Sequence, residues 1–93
     1  MSVEIVDAAS NGNFETVKSL LESGDDVNSR NAGLWTPLIL ASQNGHLDVV
    51  KLLIENGADV SAENAYTETP LCLADSEGHT EIAAILKRLG AKP

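Results

Sequence analysis

A spacing of 33 residues runs through this chain from one end to the other. Gly12, Gly45 and Gly78 stand 33 apart, and so do Gly24, Gly57 and Gly90. The same interval relates Ala8, Ala41 and Ala74, and Leu20, Leu53 and Leu86. It also relates Val27 to Val60, Thr36 to Thr69, Pro37 to Pro70, Leu38 to Leu71 and His46 to His79. A unit this short cannot bury its apolar face alone, so neighbours must stack to make a continuous core. At 93 residues and 43% hydrophobic content there is material for one modest core and no second domain. The expected organisation is a single array over 1–93, with units at approximately 1–30, 31–63 and 64–93.

The middle copy shows what a unit should be. Thr36 is a suitable N-cap, Pro37 suits the first helical position, and Leu38, Leu40 and Ala41 supply an apolar face. Gly45 ends this short helix. A second follows, with Val49, Val50, Leu52, Leu53 and Ile54 at helical spacing, until Gly57 supplies a left-handed turn. From Ala58 to Glu68 the residues are small and polar without a helical period, so the chain should leave as an extended loop with a turn near its tip. It re-enters at Thr69 and Pro70.

These residues resemble the ankyrin-repeat family, whose motif joins a Thr-Pro-Leu helix start to Gly-His between the helices and Gly-Ala-Asp-Val after them. The motif stands here as Thr36, Pro37, Leu38, Gly45, His46, Gly57, Ala58, Asp59 and Val60. It recurs as Thr69, Pro70, Leu71, Gly78, His79, Gly90 and Ala91. The resemblance implies an all-α solenoid of three helix-turn-helix units with two β-turn fingers projecting from it. Some positions depart from the pattern. Ile39 and Cys72 occupy a place where the family usually has His, so apolar packing should replace a polar link between units. Asn31 and Asn64 stand for the Asp at the finger base, and Leu34 and Thr67 for the Gly three residues on. A β-branched residue such as Thr67 resists a positive φ angle, which sets the finger geometry as a question for the structure.

The ends differ from the middle. In the first copy Asp7, Thr16 and Ser19 stand where the second has Leu40, Val49 and Leu52. In the last, Lys87 and Arg88 stand where the second has Ile54 and Glu55, and both complement the negative end of the final helix. The expectation is a self-contained three-unit array with polar terminal faces.

Charge narrows the partner. Six Lys and Arg against 14 Asp and Glu give a formal net charge of −8, which repels a phosphate backbone and argues against nucleic acid. The same charge keeps a small domain soluble and monomeric. No apolar run reaches the length of a membrane span, and the N-terminus lacks the pattern of a secretion signal. The one cysteine, Cys72, rules out an internal disulfide and fits a reducing, cytoplasmic setting.

No catalytic motif, cofactor fingerprint or metal-ligand spacing is present, so no enzyme activity, cofactor or metal is expected. His46 and His79 recur after glycine and are read as fixing the turn between helices rather than as ligands. Cys72, on a short first helix, is read as a small core residue rather than a nucleophile. Phe14, at the start of a second helix, is read as core filling. Asn28, after Asp26 and Val27 with Leu20 eight residues before it, resembles sites modified by asparaginyl hydroxylation in this family. The plainer reading is a loop asparagine bonding nearby backbone.

The aromatic residues are few, and two of the three, Trp35 and Tyr66, fall in the expected fingers. The family's binding surface is built from finger tips and the exposed side of the first helix. That implies Ala32, Gly33, Trp35, Gln43 and Asn44 in the middle copy. The next copy contributes Ala65, Tyr66, Glu68, Ser76 and Glu77. Trp and Tyr are the residue types most often found as binding anchors. The competing reading is that both rings lie flat and staple the fingers. The resulting expectation is a module that binds a protein partner, as adaptor or inhibitor, with Glu68 and Glu77 selecting basic groups. Its rival is a bare ankyrin scaffold, natural or engineered, without a dedicated partner.

Overall fold

The computed structural model describes residues 3–93; Met1 and Ser2, at the head of the first unit, lie outside the described residues. Six helices follow in order: α1 (Glu4–Ser10), α2 (Phe14–Glu22), α3 (Pro37–Asn44), α4 (Leu47–Glu55), α5 (Pro70–Ser76) and α6 (Thr80–Arg88). Among the described residues there is no strand. The chain is an all-α array of three helical hairpins, joined by loops that turn at Ala32–Gly33 and at Ala65–Tyr66.

Local chemistry explains the starts of α3 and α5 and the ends of the second helices. Thr36 Oγ1 accepts from the Ile39 amide and Thr69 Oγ1 from the Cys72 amide, both at 3.1 Å, with Pro37 and Pro70 at the first helical turn. Both threonines are buried; the bond to Ile39 is buried with its donor, and the one to Cys72 is part-buried. The second helices all end in one way. Gly24, Gly57 and Gly90 take positive φ angles, and the residue after each donates back to Leu20, Leu53 and Leu86 respectively. This is the Schellman closure, and it accounts for the second glycine period.

The first helices α1, α3 and α5 pack side by side as an inner row, and α2, α4 and α6 form a looser outer row. Between the rows lies one core running the length of the array. Ile5, Leu38 and Leu71 occupy equivalent places in it, as do Ala8, Ala41 and Ala74. Val17, Val50 and Ala83 line the opposite side, with Leu53 and Leu86 fully buried beneath them. Phe14 packs against this core while half-buried. Asp7, Thr16 and Ser19 of the first unit are exposed, as their polarity requires.

Cys72 corrects the expectation of a core role, because it is exposed. Its equivalents Val6 and Ile39 are both fully buried, on helices that pack against the first helix of the following unit. No described helix lies beyond α5 to cover Cys72. The same difference separates buried Ala9 and Ser42 from exposed Asp75, whose carboxylate pairs with Lys87 Nζ at 3.9 Å. Both partners of that pair are more than half exposed, so it adds polarity to the face and little stability.

Candidate functional site

Each finger is closed by one asparagine. Asn31 Oδ1 accepts from the amides of Gly33 and Trp35 at 3.1 and 3.0 Å, while its backbone pairs with Trp35. Asn64 Oδ1 accepts from Tyr66 and Glu68 at 2.9 and 3.0 Å, and its backbone pairs with Glu68. An asparagine carbonyl therefore does here what an aspartate carboxylate would do. Asn64 also donates from Nδ2 to Glu68 Oε1 at 2.9 Å and is itself buried. The closure holds Leu34 and Thr67 at φ 62 and 61, so the left-handed conformation is kept without glycine.

Neighbouring fingers are bound to each other. The Ala65 amide donates to the Gly33 carbonyl at 2.9 Å. Arg30 Nη1 donates to Leu34 O at 3.1 Å in its own finger and to Glu63 O at 2.8 Å in the next. Behind the fingers, Asn28 Oδ1 accepts from the Asp59 amide at 2.8 Å and Ser61 Oγ from the Lys92 amide at 3.1 Å. The Asn28 side chain thus bonds the backbone of the following unit, while its own amide donates to Asp26 Oδ1 at 2.9 Å within the loop. Arg30 was not among the sequence candidates, and residue type carries no sign of its acceptors, which are backbone carbonyls.

The two aromatics divide the roles between them. Trp35 is half-buried against the core, and its indole lies over Gly33, where a β-carbon would stand 2.8 Å from Cδ1 and Nε1. One unit later, Tyr66 occupies the Gly33 position and Glu68 the Trp35 position. That paired exchange is the sequence signal that was missed: the bulky residue is admitted at the tip only where no indole needs the space. Tyr66 is 70% exposed, with its ring centroid 6.5 Å from that of Trp35 and the planes at 55°. Trp35 is accordingly a wall of the finger platform, and Tyr66 projects from it.

The remaining candidates lie at the finger turns and near the ends of the first helices. Ala32 and Ala65 are exposed at the finger turns, and Ser76 and Glu77 at the end of α5. Asn44 donates from Nδ2 to the Ser10 carbonyl and hydroxyl at 2.9 and 3.1 Å, so its amide also holds the first unit. Gln43 is half-buried, and its carbonyl lies 3.0 Å from His79 Nε2. His46 Nε2 makes the equivalent contact with Ser10 O at 3.0 Å. A carbonyl only accepts, so each ring donates from Nε2 to the preceding unit. The histidines therefore join units, beyond shaping the turn that precedes their own helix. Among the described residues, no group of three or more His, Cys, Asp or Glu is placed to hold a metal ion.

Three stacked hairpins, each closed by glycine and stitched to the next by histidine and asparagine, are now accompanied by a sequence match: a family model for ankyrin repeats, in three copies, aligns with residues 5–93. The chain belongs to the ankyrin-repeat family. No curated protein matches it significantly. Ankyrin repeats are generally protein–protein interaction modules. No described helix is long and apolar enough to cross a membrane.

Proposed function

We propose that this ankyrin array binds one protein partner through its finger and first-helix face, acting as an adaptor or inhibitor and not as a catalyst. The observation that carries the reading is Tyr66. It is a large aromatic side chain left 70% exposed on a platform otherwise fastened by backbone and side-chain bonds between the fingers. A pre-ordered loop loses little conformational freedom on binding, and a tyrosine buries a large area with few rotors, so the two together favour association. Ala32 and Ala65 are small and exposed at the finger turns, while Glu68 and Glu77 carry negative charge suited to a basic partner surface.

The test is affinity capture from source-cell lysate with wild-type chain and a Tyr66→Ala variant, followed by titration calorimetry with the purified captured protein. Tyr66→Ala keeps its circular dichroism and melting temperature, because the ring is exposed. A partner whose affinity falls at least tenfold in the variant, about 1.4 kcal/mol, supports the finger site. Equal affinity moves the site off the fingers, and no specific partner at all favours a scaffold without one.

A further inference from the structure

The outer row of helices leaves a groove of about 530 Å³ between α4 and α6. Its floor is apolar: Ile54 from α4, with Ala84 and Ile85 from α6 and Leu89 just after it. Leu89 is 50% exposed, one of three large hydrophobic residues so placed among the described residues. The repeat does not account for it, because the equivalent positions hold Ser23 and Asn56. Ala84 likewise stands where the earlier units carry Lys18 and Lys51. The last unit therefore carries apolar surface on its outer helix that the stacking of units does not bury.

The rim is charged in an ordered way. As successive copies of one unit, α4 and α6 run in the same direction. Lys51 and Glu81 lie earlier along the two helices, and Glu55 and Arg88 lie at their ends. The signs alternate around the opening: positive opposite negative at one end, negative opposite positive at the other. Turning this four-charge rim face down about an axis along the helices brings Lys51 toward Glu81 and Glu55 toward Arg88 of the second copy, opposite signs in each case. A patch with that property complements a copy of itself, the requirement for an isologous two-fold interface.

Net charge fits the same assignment. Two of the six basic residues line the groove, against two of the 14 acidic ones, so the whole formal charge of −8 lies elsewhere on the chain. This is a surface where two copies approach without adding like charge to like charge. We propose that the α4–α6 groove is a self-association site, at which a second copy of this chain seats its own Ile85 and Leu89 to form a two-fold dimer. The interface is independent of the fingers, so both finger faces stay open and the dimer presents two binding sites. Its small extent places it among weak, reversible contacts populated at high protein concentration. This departs from the monomer expected on net charge, because the charge is absent from the face concerned.

The experiment is sedimentation equilibrium over a concentration series, with two rim variants of the full chain. One carries Lys51→Glu and Arg88→Glu and has an all-acidic rim. The other carries Glu55→Lys and Glu81→Lys and has an all-basic rim. All four side chains are exposed, so folding is retained and is checked by circular dichroism. The wild type shows reversible dimer, each variant alone associates at least tenfold more weakly, and an equimolar mixture recovers association as heterodimer. Both variants remain net negative, so recovery reports the rim and not overall attraction. Leu89→Ser weakens the wild-type dimer to a similar extent. A wild type that stays monomeric at the highest concentration overturns the proposal, as do variants that associate like wild type or a mixture that fails to recover. None of these outcomes bears on the finger site, whose test uses a different face.

Discussion

The ring of His79 lies against Gly45 so closely that a β-carbon there would stand 2.6 Å from Cε1, and His46 stands in the same relation to Gly12. The glycine before each of the first two inter-helix turns thus has two duties in this ankyrin array. It accepts a positive φ angle, and it leaves the space through which the next unit's histidine reaches the carbonyl two residues earlier. Asn13 follows Gly12 where the later units have histidine, and no described unit precedes it for such a ring to reach.

Gly78 separates the two duties, because its φ of +75 matches the +78 of Gly45 while nothing lies within 4 Å of its missing β-carbon. Gly78→Ala bears only the backbone penalty of a left-handed L-residue, about 1–2 kcal/mol. Gly45→Ala bears that and also displaces the His79 ring from Gln43, for a total of roughly 3 kcal/mol. Denaturant melts of both variants, repeated with His79→Ala in the background, measure the difference. The excess at Gly45 should vanish when the ring is gone. Equal costs in the wild-type background would show that the ring yields freely.

Thr67 should be improvable. It is exposed, β-branched and held at φ 61, a conformation glycine adopts without steric cost. Thr67→Gly relieves strain and loses little packing, offset in part by the extra freedom of the unfolded chain. The expected net gain is about 1 kcal/mol, a rise of about 4–8 °C in melting temperature for a domain of this size. Thr67→Asn should fall between the two, since asparagine tolerates this region better than a β-branched residue. A melting temperature lowered by Thr67→Gly would mean that the finger depends on the threonine side chain.

Much of this architecture was legible because it is local. Thr36 and Pro37, or Gly57 after Ile54, act on residues within one turn, so their roles can be read from a window of the sequence. What each unit does to the next was harder. His46 and His79 were visible as a repeat, but their acceptors are backbone carbonyls in another unit, 36 residues away in sequence. Cys72 was misplaced because its reading rested on residue type and its place on a short first helix, whereas burial depends on whether a helix follows. Trp35 and Tyr66 looked alike as finger aromatics, yet one is a wall and the other projects. Their distinction lay in the exchange of Gly33 and Trp35 for Tyr66 and Glu68. The groove between α4 and α6 had no local signature at all, because it arises from the spacing of two helices.

Leu53 tests the shared core. Its side chain is fully buried in the middle unit, between the inner and outer rows. Leu53→Ala should cost about 2–5 kcal/mol through lost transfer energy and a residual cavity. In an array of three units, each leaning on its neighbours, that loss should lower one cooperative transition rather than melt a single hairpin. Leu20→Ala, at the half-buried equivalent in the first unit, should cost less. Calorimetry reads both the loss and the number of transitions. An unchanged melt for Leu53→Ala would remove the residue from the core.

Ser42 makes the opposite case, because it is fully buried and yet its hydroxyl has no hydrogen-bond partner. Withdrawing a hydroxyl from water without a replacement bond costs about 1–3 kcal/mol. The same place in the first unit is held by Ala9, also fully buried, which shows that a methyl group fits between stacked first helices. Ser42→Ala removes one oxygen and so leaves almost no cavity, and alanine is the better helix former by a few tenths of a kcal/mol. The substitution should therefore stabilise the array by about 1 kcal/mol, although most changes at buried positions destabilise. In urea the midpoint should rise with an unchanged slope, since the surface exposed on unfolding stays the same. A lower midpoint would show that the hydroxyl finds a partner in solution, and Ser42→Val, of larger volume, would then distinguish lost bonding from lost packing.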